Sequence, residues 1–130
     1  MIISATDNEG FSATDTYILY YDDPPYHGVT SDVNAKKDIV EADPAHVLER
    51  LSKVPVSTWR YKDLDGEVLH MGPMAQDFYA AFGLGGNDKR IATVDSDGVA
   101  LAAIQGLYKL VQELQEDNAK LREDMERLKQ

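Results

Sequence analysis

The chain has 130 residues with 13 basic and 23 acidic side chains, a formal net charge of −10, and no lysine–arginine stripe, so we expect no nucleic-acid ligand. The absence of cysteine excludes disulfides, thiolate metal sites and cysteine nucleophiles, and the wide separation of His27, His46 and His70 predicts no metal or other cofactor. Because the chain shows neither a membrane-length apolar run nor a signal peptide, we expect a soluble intracellular product with no membrane partner.

Residues 1–30 are predicted to be the end of an upstream stalk or fibre, followed by a linker. An apolar-aromatic run at 17–21 is typical of a β-strand, and the Asp-Asp-Pro-Pro sequence at 22–25 ends it. A segment this short cannot build a core of its own. We therefore interpret it as the β-structured end of something larger, whose upstream part is not in this chain.

Residues 31–98 predict a small α+β domain that begins with a short helix. Asp43 is a good N-cap and Pro44 suits the first helical position, which together predict a helix of about two turns. The alternation over 56–62, the turn pair at 65–66 and the return over 67–70 predict a β-hairpin. The aromatic residues predicted to lie in the core are Trp59, Tyr61, Phe78, Tyr79 and Phe82.

After the hairpin, the chain returns to helical patterns. Residues 74–82 predict a second helix that ends at Gly83. Residues 91–94 predict a short strand, and 95–98 a turn that caps a long helix beginning near Val99.

Residues 99–130 predict a coiled coil. The a and d positions are Ile104, Leu107, Val111, Leu114, Asn118, Leu121, Met125 and Leu128. Asn118 costs stability at an a position but fixes register and oligomeric state. Opposite charges at the g position and the following e position favour parallel helices in register. The two pairs are Asp117 with Arg122 and Asp124 with Lys129. The alternative is a single surface helix packed on its own domain, and the heptads alone fit either a dimer or a trimer.

Ser31 and Lys36 form the candidate catalytic pair. A lysine can remove the proton of a serine hydroxyl when burial lowers the pKa of its amine toward neutrality. Five residues separate the two, so the chain must turn between them, and Asp32 and Asn34 both favour a turn. Lys37 competes for the role of base. The alternative is an ordinary polar turn with a solvated lysine.

Four segments in this order carry a resemblance to a known family. They are Ser31-Asp32-x-x-x-Lys36, Trp59-x-Tyr61, residues 70–77 and residues 94–99. Together with the C-terminal heptads, they resemble the intramolecular chaperone auto-processing domain of phage tail spikes, endosialidases and tail fibres. The same domain occurs in myelin-regulatory-factor-like transcription factors. The resemblance covers residues 31–130.

The resemblance implies a homotrimer that assists folding of the upstream stalk of the same polypeptide and then cuts itself off with a Ser-Lys dyad. Ser31 would be the nucleophile and Lys36 its general base, with the cut at Ser31–Asp32 or at Thr30–Ser31. Asp32, His70 and Gln76 are candidate supporting residues: His70 and Gln76 could orient Lys36 or donate to an oxyanion. Alternatively, both residues have only structural roles: His70 lies at a strand end, and Gln76 forms hydrogen bonds with the backbone where the turn meets the helix.

The resemblance also implies where the protein acts: in the host cytoplasm during assembly, with the mature upstream product in the virion tail. One competing hypothesis is a non-enzymatic trimerisation module that registers a fibre without cutting it. Another is a fragment of a membrane-tethered transcription factor. The acidic charge and the lack of a transmembrane or basic DNA-binding segment in this chain disfavour the second hypothesis.

Overall fold

The computed structural model of the protein describes residues 31–62 and 68–130. The chain divides into two units, Met1–Ile39 and Val40–Gln130. The predicted stalk strand, the linker through residue 30 and the turn pair at 65–66 lie outside the described residues. The predicted domain boundaries after residues 30 and 98 remain predictions.

The described residues confirm the α+β class, with small helices, a two-stranded antiparallel hairpin and a long C-terminal helix. The elements are a 3₁₀ turn (Val33–Ala35), α1 (Pro44–Leu51), β1 (Ser57–Trp59), β2 (His70–Gly72), α2 (Ala75–Phe82) and α3 (Thr93–Leu128).

Helix α1 begins where the capping chemistry predicts. The Asp43 carboxylate accepts hydrogen bonds from the backbone N–H groups of Ala45 at 3.1 Å and His46 at 3.4 Å, and Pro44 occupies the first turn. These bonds satisfy donors that have no partner within the helix. The half-buried apolar stripe of α1 consists of Val47, Leu48 and Leu51.

The hairpin forms, but its second strand lies closer to the C-terminus than predicted. The paired residues are Ser57 with Gly72, Thr58 with Met71, and Trp59 with His70. The rings of Trp59 and His70 stack with centroids 4.9 Å apart, and such cross-strand pairs stabilise a register. Pro73 follows β2 directly and has no N–H to continue the ladder. The paired strand is therefore His70–Gly72 rather than residues 67–70.

Helix α2 ends at Gly83, as predicted. Gly83 has a φ of +63° and its N–H donates to the Tyr79 carbonyl at 2.8 Å, the left-handed C-cap that glycine adopts without strain. The Arg50 guanidinium donates to the Ala81 carbonyl at 3.0 Å and so ties the end of α1 to the last turn of α2.

The aromatic core prediction is correct only in part. Phe78 is buried, with its ring centroid 5.1 Å from that of Phe82. Trp59 is half-buried. Tyr61 and Tyr79 are exposed, at 55% and 38% of their surface, because two short strands and two short helices are too small to cover every aromatic ring.

Helix α3 begins at Thr93, so the predicted strand at 91–94 and turn at 95–98 are wrong. The Ala92 carbonyl accepts from the N–H groups of Asp95 at 3.0 Å and Ser96 at 3.2 Å, which makes residues 93–96 the first helical turn. The Ser96 hydroxyl donates to the Thr93 carbonyl at 2.9 Å. Asp95 in that turn interacts favourably with the positive end of the helix dipole.

The N-terminal part of α3 packs on α1 through small residues. Val99 and Ala103 are 6% and 5% exposed, and Gly106 is also buried. A Cβ atom at Gly106 would overlap the Pro44 carbonyl oxygen and lie 3.2 Å from the Leu48 Cβ atom. Only glycine allows the two helix backbones to approach this closely. This part of α3 therefore packs on its own domain, as the single-helix alternative proposed, but through a face other than the heptad seam.

Replacing Gly106 with alanine is expected to destabilise the protein by about 1–3 kcal/mol, because the added methyl forces α1 away from α3. Gly98→Ala is the matched control. Gly98 lies in the same helix, and a Cβ atom added there would meet nothing within 4 Å, so the change is expected to stabilise the helix by up to about 1 kcal/mol. Chemical denaturation followed by circular dichroism measures both. Equal effects of the two substitutions would contradict the close helix approach.

Beyond Gly106, α3 continues with residues 107–130 all exposed. The apolar seam residues that remain uncovered are Ile104 (62% exposed), Leu107 (50%), Val111 (42%), Leu114 (54%), Leu121 (60%), Met125 (60%) and Leu128 (87%). No residue in the described ranges covers this seam.

Within residues 31–62 and 68–130, no helix is both long enough and apolar enough to span a bilayer.

Charged side chains along α3 form ion pairs within the helix. Asp117 lies 3.8 Å from Lys120, Asp124 lies 3.4 Å from Arg127, and Lys129 lies 3.1 Å from Glu126. All are well exposed, so each contributes little to stability. The predicted pairing of g and e residues between chains stays a prediction.

Candidate functional site

The segment that carries Ser31 and Lys36 is a tight turn built by local hydrogen bonds. Asp32 is the N-cap of the 3₁₀ turn, and its carboxylate accepts from the Asn34 N–H at 2.9 Å. The Ala35 N–H donates to the Asp32 carbonyl at 3.1 Å, and the Lys36 N–H to the Val33 carbonyl at 3.3 Å. These bonds reverse the chain between Ser31 and Lys36.

The turn brings the two candidate catalytic side chains into contact. The Lys36 Nζ donates to the Ser31 Oγ at 2.7 Å. The five residue steps from Ser31 to Lys36 would span about 17 Å in an extended chain, so the contact depends on the turn. The distance is that of a nucleophile hydrogen-bonded to its base. Of the two neighbouring lysines, Lys36 rather than Lys37 makes this contact.

Both side chains of the pair are exposed, as are all residues from 31 to 40. A lysine acts as a base through its neutral amine, and burial favours that form. The single chain therefore supplies the geometry of a serine–lysine pair without covering it.

A further side chain takes part in the turn. Asp32 Oδ1 accepts from the Asn34 side-chain Nδ2 at 3.0 Å as well as from the Asn34 N–H. The sequence predicted a turn from these two residues but not the second bond. The only sequence signal for this second bond was the spacing of Asp32 and Asn34, two residue types that favour turns, two positions apart.

His70 and Gln76 belong to the second unit, Val40–Gln130, whereas Ser31, Asp32 and Lys36 belong to the first. His70 stacks on Trp59, and its ring centroid lies 5.4 Å from that of Tyr61. Gln76 is exposed in the first turn of α2. A supporting role of either residue in catalysis stays a prediction.

An open hollow of about 440 Å³ lies between the end of α1 and α2. Its lining residues are Arg50, Lys53, Val54, Pro55, Asp77, Ala80 and Ala81. None of these carries a hydroxyl or imidazole nucleophile. Lys53 donates to Glu49 Oε1 at 2.9 Å, and this hydrogen bond lowers the pKa of Glu49. The hollow is therefore not the candidate site.

The turn is also where the similarity to known proteins begins. No curated protein matches the chain. A peptidase family described as "chaperone of endosialidase" matches residues 31–84. That description indicates a chaperone associated with a phage tail spike polypeptide, and the peptidase class suggests self-cleavage. The matched range starts at Ser31, includes Lys36, His70 and Gln76, and ends before α3. Residues 31–84 of this chain therefore match the chaperone-of-endosialidase family, which confirms the resemblance drawn from the sequence.

Proposed function

We propose that the chain is an intramolecular chaperone that trimerises, assists folding of a phage tail spike or fibre ahead of it, and then releases itself by serine–lysine autoproteolysis next to Ser31. The observation that carries the proposal is the 2.7 Å contact between Lys36 Nζ and Ser31 Oγ. This contact lies at the start of the segment that matches the chaperone family.

The chemistry needs no substrate pocket. For the cut at Thr30–Ser31, the scissile bond adjoins the nucleophile in the sequence, so the chain itself holds the reacting groups together before the reaction begins. This agrees with the exposed position of the pair and with the lack of a hydroxyl or imidazole side chain among the residues that line the hollow between α1 and α2. Each chain would react once.

A cut at Thr30–Ser31 follows directly from attack by Ser31 Oγ. The neutral Lys36 amine takes the hydroxyl proton while Oγ bonds to the Thr30 carbonyl carbon through a five-membered ring. The bond from that carbon to the Ser31 nitrogen breaks, and Lys36 returns the proton to the nitrogen. Water then hydrolyses the resulting ester, which leaves a carboxylate on Thr30 and restores the Ser31 hydroxyl.

A cut at Ser31–Asp32 needs a different geometry, and the family resemblance favours this bond. Attack by Ser31 Oγ on its own carbonyl would pass through a strained four-membered ring. Attack by the Ser31 Oγ of another chain avoids that ring: the oxygen bonds to the carbonyl carbon, the Asp32 nitrogen leaves with the proton held by lysine, and water hydrolyses the ester. An assembly of several chains suits this route.

Trimerisation is supported by the uncovered seam of α3. Leu101 and Tyr108 lie beside the seam and are 64% and 63% exposed, which widens the apolar face in the first heptads. Two neighbouring helices cover a wide face better than one neighbour does. Since a long helix with an exposed apolar face is marginal alone in water, association would also stabilise α3.

The second candidate function is a trimerisation module that registers a fibre without cutting it. The exposure of Ser31 and Lys36 favours this alternative, because a solvated lysine is a poor base. The two functions share the coiled coil and the folding role. They differ only in whether the backbone beside Ser31 breaks.

Intact-mass spectrometry of the freshly purified chain separates the two functions. We expect the full-length mass to be replaced by fragments 1–31 and 32–130, or by 1–30 and 31–130, with the pair of masses identifying the bond. Sedimentation on the same sample shows whether the chain is trimeric. A trimer that keeps its full mass would contradict autoproteolysis and leave the non-enzymatic module.

A further inference from the structure

The Ser31–Lys36 turn contains a second acceptor that competes for the lysine. The Asp32 carboxylate follows Ser31 directly, and a carboxylate is a stronger acceptor for an ammonium group than a hydroxyl is. Pairing with it would hold Lys36 in the charged form, which cannot take a proton. The structure nevertheless places Lys36 Nζ on Ser31 Oγ at 2.7 Å.

Asn34 binds the Asp32 carboxylate. Its backbone N–H and its side-chain Nδ2 both donate to Asp32 Oδ1, at 2.9 and 3.0 Å. The two donors hold the carboxylate over the 3₁₀ turn as its N-cap. Because asparagine carries no charge, it binds the carboxylate without adding another ion beside the lysine.

We propose that Asn34 is a positioning residue that keeps the Asp32 carboxylate off the Lys36 amine, so that the amine serves the Ser31 hydroxyl. The inference rests on the proposed serine–lysine cleavage. The Asp32 carboxylate is useful to the turn as a cap but harmful to a neighbouring base. By binding the carboxylate, Asn34 lets Asp32 cap the turn without pairing with the Lys36 amine.

Other charged groups lie on the same segment. Lys37 and Asp38 follow Lys36, and Asp38 has a φ of +53°, a left-handed conformation that aspartate tolerates better than most residues. Both are charged groups on the same exposed segment as Lys36. Neither residue changes in the variants below, so their effects cancel in the comparison.

The test is the pH dependence of self-cleavage in the full-length trimer, with Asn34→Ala as the variant. Without Nδ2, only the backbone N–H of residue 34 still donates to Asp32 Oδ1, and the carboxylate can turn toward Lys36. We expect the midpoint of the rate to move up by about one pH unit, the size of shift that a close opposite charge produces. The rate at high pH should stay within a factor of about three of the wild-type rate, because the nucleophile and base are unchanged.

Asp32→Asn provides the control, since it keeps an acceptor for Asn34 but removes the negative charge. In that background, Asn34→Ala is expected to cause no shift of the midpoint. A merely structural role of Asn34 would instead lower the rate by the same factor at every pH. Such a uniform loss, or a shift that persists without the Asp32 charge, would overturn the proposal.

A second measurement keeps this inference separate from the proposed function. The ¹³Cε shift of Lys36 reports its protonation by NMR in a chain that cannot cleave, Ser31→Ala. Its titration midpoint is expected to rise with Asn34→Ala and to stay fixed when Asp32→Asn is also present. An unshifted midpoint overturns the inference whether or not the wild-type chain cleaves.

Discussion

The Ser31→Ala chain is expected to remain at full length under conditions in which the wild-type chain cuts itself. The substitution removes Oγ, the hydroxyl oxygen that Lys36 Nζ contacts. Loss of a serine nucleophile costs a rate factor on the order of 10³–10⁶ in hydrolases that use one. A time course of intact mass after purification measures the loss. Cleavage that persists in Ser31→Ala would remove Ser31 from the mechanism.

The companion substitution is Lys36→Met, which keeps an unbranched side chain one atom shorter and removes the amine. We expect a loss similar in size to that of Ser31→Ala, because nucleophile and base act as a unit. Lys37→Met is the matched control, since it removes the same charge one residue away without touching Ser31. Its rate should stay within about threefold of the wild-type rate. If Lys37→Met abolished cleavage and Lys36→Met did not, Lys37 would be the base.

The parts of the fold that depend on local chemistry could be predicted from the sequence. The start of α1 follows from an Asp side chain that accepts two backbone donors ahead of a proline, and the end of α2 follows from a glycine in the left-handed region. Each rule involves atoms only a few residues apart. Such interactions do not depend on how the rest of the chain packs.

The errors occurred where packing between distant segments decided the outcome. Residues 91–94 resemble a strand, yet Thr93 and Val94 form the start of a helix in which Val99 and Ala103 are buried and Gly106 lies against α1. The heptad pattern predicted an outer seam on α3 but did not predict the face that packs on α1. That face consists of small residues such as Gly106, which carry a weak hydropathy signal.

In the candidate site, too, the sequence predicted the local backbone turn but not the side-chain contacts. A turn between Ser31 and Lys36 could be predicted from the residue types, and the structure contains it. The bond from the Asn34 side chain to Asp32 could not, because it depends on the rotamers of two exposed side chains.

The predicted coiled coil is the second feature with a large expected effect, and Leu114→Glu tests it. Leu114 is 54% exposed in the single chain and lies at a central d position, where a parallel trimer would bury three copies side by side. Truncating one buried leucine costs about 2–5 kcal/mol, and three carboxylates forced together would add repulsion. We therefore expect sedimentation velocity at micromolar concentration to show a trimer for the wild type and a monomer for the variant.

The matched control is Ala119→Glu, which adds the same charge to the same helix on its outer face. This chain is expected to remain trimeric and to keep its helix content by circular dichroism, since glutamate is a good helix former. Leu114→Glu should also lose helix content in the exposed part of α3, because a helix without partners is marginal in water. A trimeric Leu114→Glu chain would contradict the seam. Dissociation of both variants would instead attribute the effect to added charge, so only the contrast between the two positions identifies this face of α3 as the one that gathers the chains.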